Sequence, residues 1–333
     1  MKNNGIKFVA SMTERPGEIK RIRKLWEESG DIRNPFSSVL VTPLFTSKTT
    51  LKIIRSWKEE KGSEVYFDSG GFWVQQGKIS YRDLYPKLME FYKKNKWADY
   101  YILPDNVPLS SDPEEIVEQK SFETAHFSCM FFYEMPDNLK SKAIPVIQGY
   151  TYSQLYRAIT SYKKLGLNYF GFGSFATSGN NQTINQYDPT AEMRLNLIKE
   201  LTEKDGIKIH TFGVGAPPII WRLSLNKFYS FDSIGWMKSA GYGNVFLPLM
   251  SGKLCTHNNI FRAHISRKDF ARIKDITNHK CIFCNDYNKL SKTRIYRIMH
   301  NLTCIMDTID YIRNTSQEEV KDIIKITSPK YLY

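Results

Sequence analysis

The feature that most constrains this chain is a repeated unit: a short apolar, β-branched or aromatic run, a turn signal, and then in most cases a helical pattern. Eight such runs are predicted as strands, over Ile6 to Ala10, Ser38 to Thr42, Glu64 to Phe67, Tyr100 to Leu103, Ala143 to Ile147, Tyr169 to Phe172, Lys208 to Phe212 and Tyr229 to Phe231. Helical patterns lie between them at Thr50 to Glu60, Tyr81 to Lys94, Pro113 to Met130, Tyr152 to Leu165, Thr190 to Lys204 and Pro218 to Asn226. Asp112-Pro113 and Asp188-Pro189 read as helix starts, an N-cap followed by Pro at the first helical position. Alternation of this kind predicts an α/β fold with a parallel sheet, and eight units predict closure into a (β/α)8 TIM barrel. A doubly wound open sheet is the alternative. After residue 250 the pattern changes: Ser251 to Asn288 is polar and rich in His and Cys, and Leu290 to Ile312 reads as one long helix. The expected division is a barrel over residues 1–250 and, over 251–333, a metal-stapled subdomain whose last helices return to close the barrel.

The chain has 333 residues, 41% of them hydrophobic, enough for a sizeable core. Its 47 Lys and Arg against 34 Asp and Glu leave a formal charge of +13, which favours a polyanionic partner such as nucleic acid. No apolar run approaches the ~20 residues of a membrane-spanning helix, and Met1-Lys2-Asn3-Asn4-Gly5 leads into no signal-peptide region, so a cytoplasmic location is expected. Four of the five cysteines (Cys255, Cys281, Cys284, Cys304) and four of the six histidines (His257, His264, His279, His300) fall in one stretch, which points to a metal rather than to disulfides.

In a barrel the chemistry sits at the C-terminal ends of the strands. Those positions hold Asp68, Asp105, Gln148, Gly173, the run Phe212-Gly213-Val214-Gly215, and Asp232. A lone Asp at a strand end is more often a helix cap or turn former than a catalyst, but three in register are harder to dismiss. Phe72 and Phe212, taken alone, are more often core than stacking plates. The chain contains no phosphate-binding Gly-x-x-x-x-Gly-Lys-Ser/Thr loop, no Gly-x-Gly-x-x-Gly after a first strand and no Gly-x-Ser-x-Gly elbow. Nucleotide hydrolysis, dinucleotide redox and serine hydrolysis therefore lose ground. Two carboxylates at one site suit glycosidic chemistry, one as nucleophile and the other as general acid/base. With a basic surface, the glycoside is expected to be a nucleoside within a polymer.

At these residues the sequence resembles the guanine transglycosylase family, the barrel enzymes that exchange guanine in a polynucleotide for a 7-deazaguanine. The motifs run in order: Asp68-Ser69-Gly70-Gly71-Phe72, Asp105-Asn106-Val107-Pro108, Val146-Ile147-Gln148-Gly149, Gly171-Phe172-Gly173, Phe212-Gly213-Val214-Gly215-Ala216-Pro217, Phe231-Asp232-Ser233 and His300-Asn301-Leu302. The resemblance implies that Asp232 is the nucleophile at C1′ and Asp68 the general acid/base. It further implies that Asp105 pairs with the purine's N–H donors, that Gln148, Gly149, Gly173 and Gly213 surround its polar edge, and that Phe72 and Phe212 sandwich the ring. A catalytically silent, nucleic-acid-binding partner subunit is a further alternative, against which the retention of both Asp68 and Asp232 argues.

The predicted metal ligands are His279, Cys281, Cys284 and, after a fifteen-residue gap, His300, a closed set suited to structural zinc. The family normally has Cys where His279 stands, so Cys255, His257 or Cys304 are its substitutes. The tRNA-acting members follow their nucleophile with a Pro-Thr-Arg-x-x-Arg-like run. Here the segment is Ser233-Ile234-Gly235-Trp236-Met237-Lys238-Ser239-Ala240-Gly241, in which Lys238 takes the place of the first arginine and Gly241 that of the second. The segment is more like the DNA-acting branch of bacteria and phages, which makes DNA the expected partner and tRNA the alternative. The incoming base would be a 7-deazaguanine, expected to be 7-cyano-7-deazaguanine (preQ0). On DNA, Trp236 is a candidate wedge for the unstacked guanine, and Lys20 to Lys24, Arg262 to Lys274 and Lys289 to Arg297 are candidate phosphate contacts. The tRNA enzymes dimerise beside their zinc subdomain, so a homodimer is also an expectation.

Overall fold

A computed structural model describes residues 6–173, 176–178, 184–186, 189–256 and 264–332. Nine parallel strands form one barrel-like sheet: β1 (Lys7–Ser11), β2 (Ser38–Val41), β3 (Glu64–Phe67), β4 (Tyr100–Ile102), β5 (Ala143–Ile144), β6 (Val146–Ile147), β7 (Tyr169–Phe172), β10 (Lys208–Thr211) and β11 (Ser230–Ser233). Two antiparallel hairpins stand outside it, β8 (Ala176–Ser178) with β9 (Ile184–Gln186), and β12 (Asn244–Leu247) with β13 (Met250–Leu254). The order in the large sheet is β5-β4-β3-β2-β1-β11-β10-β7-β6. Its two end strands are consecutive in the chain and separated by Pro145 alone. Pro145 has no N–H to give a ladder, so the run breaks there into two halves that pair with opposite neighbours, Tyr101 with Ala143 on one side and Val146 with Gly171 on the other. That arrangement brings the sheet's ends together and nearly closes it.

Strands buried on both faces need apolar residues on both, which is why they read as continuous runs rather than alternations. Val9, Leu40, Tyr66, Ile102, Ile144, Val146 and Tyr169 fill the barrel interior. Their neighbours, among them Phe8, Val39, Phe67, Phe170 and Phe231, point outward into the helical layer. The helices have ordinary starting chemistry: Ser47 caps Lys48–Lys61, Ser80 caps Tyr81–Lys94, and Thr151 with Gln154 makes a capping box for Tyr152–Lys164.

Two differences from the sequence-based expectations have physical reasons. A helix at Pro16–Glu28 was not predicted, because its run of charges conceals Ile19, Ile22 and Trp26, which form a buried stripe. The β12–β13 hairpin crosses residue 250, the expected domain boundary, in a stretch that carried few strand signals. The last barrel strand ends at Ser233. The helix Arg294–Asn314 does return to the barrel, packing on Pro16–Glu28, Pro217–Leu225 and Gly235–Gly241. Among the described residues, no helix is long and apolar enough to cross a membrane.

Candidate active site and metal centre

The C-terminal ends of the strands form a mouth at which three carboxyl groups converge. Asp232 lies on β11, opposite Val9 of β1, and faces the barrel interior. Its Oδ1 accepts a hydrogen bond from the Gly213 N–H at 2.9 Å and its Oδ2 one from the Ser11 hydroxyl at 2.5 Å. Gly213 can present its N–H there because the chain turns into the left-handed region (φ 68°) directly after β10, a conformation costly for other residues. Asp68 follows β3 and accepts from the Thr42 hydroxyl at 2.8 Å. Burial pushes the Asp68 carboxyl up to about 7, with the Thr42 hydrogen bond opposing and the charges of Asp105 and Asp232 adding to the rise. A group influenced by both of those carboxylates shares a site with them.

Asp105, beyond the end of β4, is buried; Ser69 donates to its Oδ1 at 2.6 Å and the Gln148 amide to its Oδ2 at 2.7 Å. Burial raises its pKa also, against these two hydrogen bonds. A Cβ on Gly71 would stand 2.3 Å from Asp105 Oδ1, so only glycine lets the Gly71–Gln75 helix come so close to the carboxylate. Gly173 adjoins the Gln148 amide, and Gly149 follows Gln148, whose carbonyl accepts from Ser121 at 2.8 Å. Phe212 lies over Gly171 at the end of β10. Phe72 is 37% exposed on the rim, with the Lys238 ammonium 5.4 Å from its ring centre. The structure thus brings the residues predicted from strand ends to one opening, although it shows no ring contact between Phe72 and Phe212 among the described residues.

Trp236 requires correction. It is fully buried, its indole N–H donates to the Ser233 carbonyl at 3.0 Å, and Asn301 donates to its own carbonyl. The long helix Arg294–Asn314 covers this position, so Trp236 is core and no wedge. Two of the predicted basic segments are likewise partly committed elsewhere. Arg23 lies over the rings of Phe36 and Trp57, and Arg297 is buried, donating to the carbonyls of Ala240, Leu290 and Ser291. Arg262 lies outside the described residues.

The residues missed from sequence are Ser11, Thr42, Ser69 and His210. The first three sit at strand ends and were within reach of the same positional rule, had hydroxyls been read alongside carboxylates. His210 lies inside the barrel on β10, fully buried, with Nε2 3.4 Å from Asp232 Oδ1.

In the C-terminal part of the chain, His279, Cys281, Cys284 and His300 are all buried, with one ligand atom from each lying within 4.8 Å of the others. The 3-10 turn Ile282–Cys284 brings the two thiols to one side, and His300 is on the long helix that follows. The imidazoles are held from behind: His279 Nδ1 is 2.5 Å from Asp307 Oδ2, and His300 Nε2 is 2.8 Å from the Phe246 carbonyl. Both outer nitrogens donate when the rings are neutral, as metal ligation requires, and His279 Nε2 and His300 Nδ1 then face each other at 3.3 Å with lone pairs inward. A cation between them removes that repulsion, and about 3.3 Å is the N···N edge of a tetrahedron with Zn–N bonds of ~2.05 Å. The donor set therefore fits a metal ion. Of the alternatives to His279, Cys255 donates to the Gly243 carbonyl, Cys304 adjoins the cluster with its Sγ 3.6 Å from His300 Nε2 and 3.8 Å from His279 Nε2, and His257 is outside the described residues.

A scan of the chain against protein-family models finds no match, and a search of curated proteins finds none either.

Proposed function

We propose that the chain is a zinc-stabilised base-exchange transglycosylase that replaces guanine in DNA with a 7-deazaguanine, 7-cyano-7-deazaguanine in particular. In this reading β5 and β6 count as one strand bent at Pro145, which gives a (β/α)8 barrel. The observation that carries the proposal is the trio at the mouth. Asp68 is poised to hold a proton near neutral pH, while Asp232 beside it accepts hydrogen bonds on both oxygens. A carboxyl group that burial keeps protonated toward neutral pH suits a general acid/base, and a carboxylate held by hydrogen bonds beside it suits a nucleophile.

The steps follow from those roles. An Asp232 oxygen bonds to C1′ as the C1′–N9 bond breaks; the electron pair leaves with guanine, which takes a proton from Asp68. The 7-deazaguanine then binds in the vacated space and gives its N9 proton to Asp68. Its N9 attacks C1′ and the Asp232 carboxylate is released. The two displacements consume no ATP. Asp105, held by Ser69 and Gln148, offers carboxylate acceptors to purine N–H groups, and the backbone around Gly173 and Gly213 lies beside the base. Zinc, when bound, crosslinks the loop after residue 278 to the long helix and takes no part in the exchange.

DNA is preferred to tRNA because Lys238 and Gly241 replace the arginine pair of the tRNA-acting members. With Trp236 in the core, that preference rests on this segment alone. The test is an exchange assay with labelled guanine and deazaguanine on duplex DNA and on tRNA side by side. Label is expected to enter DNA. Entry into tRNA alone would replace DNA as the substrate, and entry into neither would remove the activity.

A further inference from the structure

We infer that His210 is a positioning residue for Asp232: its Nε2–H holds Asp232 Oδ1, and a chain of hydroxyls through the barrel interior fixes it in the tautomer that can do so. The inference rests on the reading of Asp232 as nucleophile. His210 Nδ1 is 2.8 Å from Ser230 Oγ, which is 2.6 Å from the Tyr169 hydroxyl. That hydroxyl is 3.3 Å from the Tyr66 hydroxyl, to which the Lys7 ammonium donates at 3.3 Å from the opposite end of the barrel. Lys7 is paired with Glu64 there.

The two ends of this chain impose the same direction. An ammonium has only donors, so Tyr66 accepts from Lys7 and passes its own proton to Tyr169. Tyr169 then donates to Ser230, and Ser230 to His210 Nδ1. An imidazole that accepts on Nδ1 carries its proton on Nε2, and Nε2 faces a carboxylate that can only accept. The opposite direction would put a lone pair against Asp232. At 3.4 Å the Nε2 contact is long, and this buried nitrogen has no closer hydrogen-bond partner. Catalytic hydrogen bonds are commonly loose before substrate arrives and tighten with it. The imidazole cannot swing away, because Tyr66 stacks on it at 5.7 Å and Phe212 meets it edge-on at 4.6 Å. The groups facing it are Tyr66 from β3, Tyr169 from β7, Phe212 after β10, and Ser230 and Asp232 from β11.

The consequence is a division of labour between the nucleophile's two oxygens. Oδ1 accepts from the Gly213 N–H and faces His210 Nε2 at 3.4 Å, the contact that is to tighten with substrate. Among the described residues Oδ2 has the Ser11 hydroxyl as its hydrogen-bond partner, which can rotate, so Oδ2 forms the bond to C1′. In the ester Oδ1 becomes the carbonyl oxygen. When N9 of the incoming base attacks, the Oδ2–C1′ bond breaks and charge returns to the carboxylate, where His210 and Gly213 stabilise it. His210 therefore acts most strongly on the second displacement.

The test is made on the full chain with its polynucleotide. His210→Phe is expected to lower kcat for exchange about 10²-fold, the scale of a misplaced reacting group, with KM for the base changed by less than about threefold and the covalent adduct accumulating. His210→Gln, which restores an N–H near the position of Nε2, is expected to recover kcat to within about tenfold of wild type. Unchanged kcat in His210→Phe overturns the inference, as does loss of rate without adduct accumulation and without recovery in His210→Gln. If His210→Phe does not fold, Ser230→Ala decides, since it releases the tautomer: adduct accumulation supports the inference and wild-type adduct levels contradict it. Failure of the underlying reading is distinguishable, because wild type itself would then form no adduct.

Discussion

The barrel mouth and the His/Cys cluster both bury groups that water would otherwise solvate, and they meet that cost in opposite ways. At the mouth, burial and two neighbouring carboxylates raise the Asp68 pKa, and among the described residues hydroxyls and N–H groups hold the acidic oxygens. In the cluster, Asp307 and the Phe246 carbonyl turn two imidazoles so that their lone pairs converge beside two thiols, an arrangement one cation satisfies completely. On the proposed reading the first reacts and the second crosslinks. Substitutions at the mouth should therefore cost activity and spare stability, whereas those in the cluster should do the reverse.

The largest effect is expected in the cluster. Cys281→Ala or His300→Ala should lose the bound zinc, and with it on the order of 10 kcal/mol of metal-linked folding free energy, measured as metal content and thermal midpoint. Unchanged stoichiometry would sink the ligand set. Next, Asp232→Ala should reduce exchange by about 10⁴-fold or more, with a thermal midpoint equal to or above that of wild type because one of three repelling carboxylates is gone. A large drop in midpoint would make the mouth structural and end the contrast.

Asp68→Asn should cost about 10²- to 10⁴-fold in exchange and carry a pH signature. The folded pKa of Asp68 lies near 7, above the ordinary value of 3.8. The folded chain thus binds an extra proton between about pH 4 and 7, and stability falls as pH rises through that window. The variant should match wild type in thermal midpoint at pH 4 and exceed it at pH 8. Guanine release in wild type should slow above about pH 7 and be flat in the variant. The smallest effect is Trp236→Phe, with a loss of about 1–2 kcal/mol and no change in nucleic-acid affinity; weakened binding at full stability would restore a contact role for the indole.

The placement of the mouth residues is legible in the sequence because a barrel gathers its strand ends at one opening. Once the strand runs were recognised, Asp68, Asp105, Gln148 and Asp232 followed from their places at strand ends. The paired Cys281 and Cys284 were legible from spacing. What escaped depends on long-range packing. His210 is an inward residue in mid-strand, where a polar side chain looks like an interruption of the apolar run until β11 is known to lie beside it. Trp236 looks like a stacking residue until the helix Arg294–Asn314 is seen to cover it. Arg23 and Arg297 count as surface charge in a composition, yet one packs on aromatic rings and the other holds three backbone carbonyls. The +13 charge is therefore only partly available to a phosphate backbone.

In the proposed reaction Asp232 takes the sugar from guanine in a covalent intermediate. The most direct measurement is denaturing electrophoresis, with peptide mapping by mass spectrometry, of wild type and Asp232→Ala incubated with duplex DNA and with tRNA. A protein–DNA adduct mapped to Asp232 is expected, which disappears on addition of 7-deazaguanine and is missing from Asp232→Ala. No adduct with either nucleic acid, or one that survives in Asp232→Ala, would contradict the proposed reaction.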